Sequence, residues 1–227
     1  MHSRASNSHG TAAGMRAIEE LPGPLRALFG QFGRPSGLLG RLAGWMMAKI
    51  DDDDRWVVEL LEVRPDDRVL EVGFGPGVAI GLLAARARAG LVAGVDPSEV
   101  MVRQALRRNR AAVRAGRVEL RRGAAEALPW PDGHFTKACA IHVLYFWPLL
   151  QPGLRELQRV LAPGGRLVLA VRMQRPEAGL LDPNRYGYSE QQVAEVVAAL
   201  GSLGFGEVET PRRELGRQTI TAIVARR

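Results

Sequence analysis

Residues 69–77 read Val-Leu-Glu-Val-Gly-Phe-Gly-Pro-Gly, and this stretch decides the fold. A β-branched apolar run followed by glycines at alternate positions predicts a strand that ends in a turn, where backbone approaches a ligand without intervening Cβ atoms. A second apolar run ends at Asp96, about 20 residues after the glycines. Because the carboxyl ends of neighbouring parallel strands meet at one edge of a sheet, the Asp96 carboxylate can accept hydrogen bonds from both hydroxyls of a ribose. The two features together predict a nucleoside-binding site.

The spacing of the glycines separates two classes of nucleoside ligand. A dinucleotide-binding loop needs its third glycine three residues after the second, and Val78 stands there instead. Glu71 precedes the first glycine by two residues, where its charge would repel a pyrophosphate and attract an ammonium group. The loop therefore favours a nucleoside that carries an amino acid, and a nicotinamide-dependent oxidoreductase is the least favoured enzyme class.

Strand and helix patterns alternate from Trp56 to the end of the chain. Strands separated by helices predict a parallel sheet with helices on both faces. The last two predicted strands, 205–210 and 218–226, have no helix between them and therefore predict an antiparallel hairpin at one edge. We expect an α/β fold, a Rossmann-like, doubly wound, mostly parallel seven-stranded sheet with an antiparallel edge hairpin and an N-terminal helical cap.

Three further blocks follow the glycine loop. They are Asp-Pro-Ser at 96–98, Gly-Ala-Ala-Glu-Ala-Leu-Pro-Trp-Pro-Asp at 123–132, and Arg-Glu-Leu-Gln-Arg-Val-Leu-Ala-Pro-Gly-Gly-Arg-Leu at 155–167. With these blocks in this order, residues 55–227 resemble the class I S-adenosylmethionine-dependent methyltransferases, in particular their small-molecule, type 11-like branch. The resemblance implies S-adenosyl-L-methionine as the cofactor and S-adenosyl-L-homocysteine as its product. It also implies in-line methyl transfer to an O, N, C or S atom of a small molecule.

The resemblance further implies where the cofactor lies. The glycine loop and Glu71 would surround its methionine part, Asp96 would hold the ribose, and residues 124–126 would border the adenine. Ala124 departs from the family pattern, which often has a side chain there that accepts from the adenine amino group. The residues implied in cofactor binding are Glu71, Gly73, Phe74, Gly75, Gly77, Asp96, Pro97, Ala124, Ala125, Glu126 and His142.

His142 stands at the end of the strand predicted over 136–142. In the family this strand end faces the transferred methyl group. An acceptor that must lose a proton needs a base whose pKa lies near the working pH, and histidine has that property. We expect His142 to be a general base or a positioning residue, with simple packing beside the cofactor as the alternative. The residues predicted to line an acceptor pocket are Tyr145, Phe146, Trp147, Arg172, Tyr186 and Tyr188.

Charge and composition bear on the other function classes. The formal net charge of +7 favours contact with phosphates, but no aromatic residues stand among the arginine clusters to stack on bases. We therefore expect no nucleic-acid partner. An RNA methyltransferase that uses the basic surface, and a non-catalytic regulatory protein that binds S-adenosylmethionine, stay open as alternatives.

The single cysteine, Cys139, and four histidines without ligand spacing predict no metal site. No apolar run reaches the length of a membrane span and no signal-peptide pattern is visible, so we expect a cytoplasmic protein. Residues 1–14 are expected to be a flexible N-terminus, and 55–227 the methyltransferase domain. Between them, residues 15–54 would form a helical cap that serves as a lid or as an interface, including that of a homodimer.

Overall fold

The computed structural model describes residues 51–179, 182–216 and 218–227. The predictions for residues 1–50, namely the flexible N-terminus and a cap that acts as a lid or homodimer interface, lie outside the described residues. The strands are β1 (Arg68–Val72), β2 (Leu91–Asp96), β3 (Val118–Arg122), β4 (Phe135–Ile141), β5 (Leu161–Arg172), β6 (Gly206–Glu209), β7 (Arg212–Leu215) and β8 (Gln218–Arg226). The helices are α1 (Asp51–Leu60), α2 (Val78–Arg86), α3 (Glu99–Arg108), α4 (Arg110–Arg114), α5 (Leu150–Val160) and α6 (Glu190–Ser202), with short 3-10 helices at Leu144–Phe146 and Pro183–Tyr186.

The described strands form one sheet in the order β3-β2-β1-β4-β5-β8-β6, with β7 also paired to β8. Strands β1 to β5 run parallel, and β8 runs antiparallel to β5. The predicted α/β, Rossmann-like class with an antiparallel edge is therefore confirmed. Because the chain moves outward from β1 to β3 and then returns to β4 on the other side of β1, the order reverses between β1 and β4. Ligands of such sheets bind at this switch point, outside the carboxyl ends of the strands.

The edge hairpin differs from the prediction in its number of strands. The predicted strand 205–210 is the first half of an interrupted arm, in which β6 and β7 both pair with β8. Pro211 separates the two halves, and proline has no N–H to donate to a ladder. Its carbonyl still accepts a hydrogen bond from the Ala222 N–H at 2.9 Å. The sheet therefore has eight strands where seven were predicted.

Each face of the sheet carries its own apolar core. Successive residues of a strand point to opposite faces, so Leu70 enters one core and its neighbour Val69 the other. Helices α5 and α6 cover the first face, while α1, α2 and α3 cover the second. Because helices cover both faces of the sheet, β1, β2 and β4 are apolar almost throughout. Within the described ranges, no helix is both long and apolar enough to cross a membrane.

Candidate functional site at the carboxyl ends of the strands

The loop after β1 is built on glycines with left-handed backbone. The φ angles of Gly73, Gly75 and Gly77 are +77°, +51° and +77°, a region that residues with a Cβ rarely adopt. A Cβ on Gly73 would also lie only 2.5 Å from Cγ1 of Val143, which follows β4. The loop therefore brings bare backbone to the switch point between β1 and β4, as the sequence predicts for a ligand cradle.

The Asp96 carboxylate ties this loop to the end of β2. One oxygen accepts from the Gly75 N–H at 2.9 Å, and the other accepts from the Ser98 N–H at 2.8 Å. The side chain is buried, and burial raises its pKa to about 6, although the two backbone hydrogen bonds work against the rise. Each oxygen keeps a further lone pair, so the carboxylate can still accept from a ligand hydroxyl.

Glu71 lies beneath the same loop and is 3% exposed. Its Oε2 atom is buried and has no hydrogen-bond partner among the residues that the structure describes. Burial raises the pKa of Glu71 well above its ordinary value, and the negative charges of Asp54 and Asp96 raise it further. An unpaired buried carboxyl oxygen is costly unless a donor reaches it, and a ligand ammonium group is a suitable donor.

The block at 123–132 is held against α5 by one arginine. Arg159 donates to the carbonyl oxygens of Leu128 and Trp130 at 2.9 and 2.8 Å, and it binds both carboxyl oxygens of Glu156 at 2.8 Å. Glu156 in turn accepts from the Leu128 N–H at 2.7 Å. This network explains why the blocks at 123–132 and 155–167 occur together in the sequence.

The same block reaches the cradle at its first residues. The Gly123 N–H donates to the Asp96 carbonyl at 3.1 Å, so the segment 124–126, which follows β3, starts beside the end of β2. Ala125 is buried in the first core, whereas Ala124 and Glu126 are partly exposed. Pro97 follows Asp96, and its carbonyl accepts from Nε of Arg122 at 3.3 Å.

His142 follows β4 with a left-handed backbone, φ +53°. Histidine is among the residues other than glycine that enter this region more often than most. Its backbone N–H still donates to the Ala170 carbonyl of β5 at 2.9 Å. The imidazole Nε2 lies 2.9 Å from Oδ2 of Asp53, whose side chain is only 4% exposed. Helix α1 therefore supplies a carboxylate partner to the histidine at the end of β4.

The environment of His142 keeps the imidazole neutral. Burial lowers its pKa below the ordinary value, the hydrogen bond to Asp53 opposes this, and the positive charge of Arg172 adds to the lowering. The other ring nitrogen, Nδ1, is buried without a hydrogen-bond partner in the described part of the chain. A neutral imidazole with one free ring nitrogen can act as a proton acceptor.

Two tyrosines and an arginine lie beside this histidine. The Tyr145 hydroxyl accepts from the backbone N–H of Arg172, and the rings of Tyr145 and Tyr188 meet edge to face at 5.3 Å. Burial raises the pKa of both tyrosines, which keeps their hydroxyls neutral. Within the described residues, Nε of Arg172 is buried and unpartnered.

The side chains of Phe74 and Trp147 lie apart from this group. The Phe74 side chain belongs to the second core and would contact a Cβ on Gly94 at 2.6 Å, so only its backbone faces the cradle. Trp147 is 5% exposed and packs on Gly153 of α5. Phe146 packs edge to face with Tyr145 at 6.0 Å, and Tyr186 ends the 3-10 helix Pro183–Tyr186.

A separate pocket of about 470 Å³ has Tyr188 among its lining residues. It lies between the segment after β5 and the strands β7 and β8, and an ion pair of Arg212 with Glu190 stands at its wall. Of the residues predicted for cofactor or acceptor, only Tyr188 lines it. This pocket is therefore distinct from the cradle at the ends of β1 and β2.

Cys139 lies in the middle of β4 and is fully buried in the second core. Burial raises the pKa of its thiol well above the ordinary value, so it is a packing residue in this environment. Within residues 51–179, 182–216 and 218–227, no group of three or more His, Cys, Asp or Glu side chains is arranged to hold a metal ion.

The sequence did not indicate Asp53 and Gln218 as site residues. Asp53 stands in a run of four acids that suits the start of a helix, and 89 residues separate it from His142. Gln218 begins β8 and donates to Asp53 Oδ2 at 3.3 Å. Neither belongs to a motif, so only the packing of α1 and β8 around the end of β4 reveals them.

Known proteins resemble this chain in sequence and in fold. Residues 70–169 match the family of methyltransferase domains. The methyltransferase YdaC of Bacillus subtilis is 30% identical over 169 residues, which are 74% of this chain and 88% of that protein. The 2-phytyl-1,4-naphtoquinone methyltransferase of Synechococcus elongatus is 36% identical over 146 residues, 64% of this chain and 62% of the relative. The crystal structure of a SAM-dependent methyltransferase from Aquifex aeolicus has the same fold, with a TM-score of 0.65, 23% identity, and coverage of 81% of this chain and 97% of that one.

Proposed function

Since the chain belongs to the class I S-adenosylmethionine-dependent methyltransferases, we propose that its acceptor is a small organic molecule bound beside the carboxyl ends of β4 and β5. The observation that carries this proposal is the grouping of His142, Arg172 and Tyr145 next to the glycine cradle. The relative from Synechococcus elongatus, which is named for a phytyl naphthoquinone, supports an acceptor of small-molecule size.

We propose that Glu71 holds the amino-acid part of the cofactor and that Asp96 holds its nucleoside part. The unpaired Oε2 of Glu71 suits the ammonium group of the methionine part. The oxygens of Asp96 are fixed by the Gly75 and Ser98 N–H groups, and their free lone pairs suit the ribose hydroxyls. A Cβ on Gly73 would collide with Val143 and one on Gly77 with Ala105, so both positions need glycine if the loop is to keep this shape.

The adenine would lie along residues 124–126. Ala124 has no side-chain acceptor, so the adenine amino group would be bound by backbone carbonyls or by the Glu126 carboxylate. The Arg159 network fixes the continuation of this segment against α5. We therefore expect adenine recognition to depend on the rigidity of the segment more than on one side chain.

The cofactor, when bound, supplies a methyl group that its sulfonium already activates. The protein then lowers the barrier mainly by alignment of the acceptor and by exclusion of water. The neutral ring of His142, with one nitrogen free of partners in the described residues, supports a role as the acceptor of a proton. We assign it the role of general base, with Asp53 as the residue that positions it.

Titration calorimetry with S-adenosylmethionine, S-adenosylhomocysteine and NAD tests the cofactor assignment. We expect the first two to bind and NAD not to bind. Glu71→Gln should weaken S-adenosylhomocysteine roughly tenfold because it removes a charge-assisted hydrogen bond. Glu59→Gln, an exposed position of α1, is the matched control. Binding of NAD alone, or equal affinities of the two variants, would contradict the assignment.

A further inference from the structure

The proton on His142 can be assigned to one ring nitrogen. A carboxylate only accepts hydrogen bonds, and Oδ2 of Asp53 already receives one from Gln218 at 3.3 Å. The Nε2 of His142, at 2.9 Å from the same oxygen, must therefore be the nitrogen that carries the hydrogen. Nδ1 then holds the free lone pair of the neutral imidazole. This nitrogen is also the one that is buried without a partner in the described residues.

Arg172 brings a positive charge to the same end of the sheet. Its Nε is buried and has no partner within the part of the chain that the structure describes. The backbone N–H of His142 donates to the carbonyl of Ala170, which stands two residues before Arg172 on β5. The positive charge of Arg172 is close enough to lower the pKa of His142. A buried N–H of a charged guanidinium is costly when it has no acceptor, so the site is suited to a ligand that brings an anion to Nε of Arg172.

These two groups discriminate among methyl acceptors. A cationic amine would be repelled by Arg172, and a group that stays electrically neutral would bring no negative charge to the guanidinium. A group that is neutral in solution and becomes an anion by giving its proton to Nδ1 satisfies both residues at once. Oxygen is the better match than sulfur because guanidinium donors bond strongly to oxyanions.

We infer that the acceptor carries an acidic hydroxyl, that of a phenol or an enol, whose proton passes to Nδ1 of His142 while Arg172 binds the resulting oxyanion. This inference rests on the proposed function and names the acceptor class of the same site. The oxygen forms its new bond to the methyl carbon as the carbon–sulfur bond breaks, and the electron pair of that bond stays on sulfur. The products are a methyl ether and neutral S-adenosylhomocysteine, and the proton leaves Nδ1 for solvent.

A chromogenic phenol tests the anion site without turnover. Protein loaded with S-adenosylhomocysteine is titrated with 4-nitrophenol at several pH values, and the absorbance of the phenolate is followed. We expect the bound probe to ionise at a lower pH than the free probe. Arg172→Gln should bind the phenolate roughly tenfold or more weakly. Arg103→Gln, which removes an exposed arginine of α3 that pairs with Glu99, should bind it like the unchanged protein.

The outcomes separate this inference from the proposed function. Failure to bind S-adenosylhomocysteine would overturn the proposed function itself. Normal binding of that compound together with no uptake of 4-nitrophenol, or equal binding by Arg172→Gln, would overturn only the acceptor class. Tighter binding of 4-nitroaniline or 4-nitrothiophenol than of 4-nitrophenol would also overturn it.

The protonated ring nitrogen can be observed directly. In protein labelled with ¹⁵N-histidine, long-range ¹H–¹⁵N correlation distinguishes the two neutral tautomers, and His142→Asn identifies the His142 signals. We expect the Nε2–H tautomer in the unchanged protein and a mixture of tautomers in Asp53→Asn. A proton on Nδ1 of the unchanged protein would overturn the assignment of the accepting atom.

Discussion

Replacement of Arg159 with alanine should destabilise the protein far more than the same change one turn earlier on α5. The Arg159 guanidinium bonds two backbone carbonyls, both oxygens of Glu156, and Asp132. Arg155 makes one long hydrogen bond, 3.4 Å to the Gln151 carbonyl of its own helix. Comparison of Arg159→Ala with Arg155→Ala therefore separates the stabilisation that the Arg159 network provides from the general cost of removing an arginine from this helix.

The magnitude follows from the groups that lose a partner. A buried carbonyl left unpaired costs about 1–3 kcal/mol, but Arg159 is 30% exposed, so water can replace part of each bond. We take about 1–1.5 kcal/mol for each of the two carbonyls. The exposed pair with Asp132 adds at most about 1 kcal/mol. The two carbonyls and Asp132 together give about 2–4 kcal/mol, to which the loss of the Glu156 bonds adds, against about 0.5 kcal/mol or less for Arg155→Ala.

Equilibrium unfolding in urea measures this difference, provided that the slope m stays the same for both variants. Arg159 lowers the pKa of Glu156, so the contribution of this pair is present near neutral pH and is lost as the pH falls through that lowered pKa. The difference in the free energy of unfolding between the two variants should therefore become smaller at acid pH. Equal midpoints for Arg159→Ala and Arg155→Ala near neutral pH would refute the role given to the network.

Three further perturbations probe the cradle and the base. The backbone of Gly73 has φ +77°, and Gly73→Ala places a methyl group 2.5 Å from Val143, so this variant should lose S-adenosylhomocysteine binding in calorimetry. Gly116 has a similar φ of +69° with nothing within 4 Å of an added Cβ, so Gly116→Ala should retain binding. The pKa of Asp96 is raised from 3.8 to about 6, so the folded, cofactor-free protein favours the protonated carboxyl. This preference contributes at most about 3 kcal/mol to the free energy of unfolding, and the contribution is lost as the pH rises through about 6. Thermal unfolding of Asp96→Asn should lack this slope. His142→Asn keeps a residue that tolerates φ +53°, so S-adenosylhomocysteine affinity should persist while turnover of a hydroxyl acceptor falls about 10²–10⁴-fold.

The cradle could be predicted from the sequence because its signals are local. The glycines of 73–77 mark a backbone conformation and Asp96 marks a strand end, so each residue carries its meaning in its own neighbourhood. The order of strands follows from the alternation of strand and helix patterns. The fold class agrees with the structure, and the glycine loop lies at the switch point of the sheet, whereas its role in holding the cofactor stays a prediction.

The rest of the site depends on contacts between distant segments. Asp53 meets His142 only because α1 packs across the end of β4, and four consecutive acids give no sign of which one turns inward. The aromatic residues 145–147 likewise lie in different surroundings, since Tyr145 contacts Arg172 while Trp147 is buried in the first core. The β7 strand was missed because its residues Arg-Arg-Glu-Leu do not alternate between apolar and polar types, although their exposure in the structure does alternate.

The methyl transfer itself is tested most directly by following the label. The protein is incubated with S-adenosylmethionine that carries a deuterated methyl group and with a pool of small metabolites, and the products are analysed by mass spectrometry. We predict a labelled methyl ether that forms with the unchanged protein and is lost with Gly73→Ala, the variant whose collision with Val143 distorts the loop of the cradle. Tight binding of S-adenosylmethionine without any labelled product would contradict catalysis and favour a regulatory protein that only binds the cofactor.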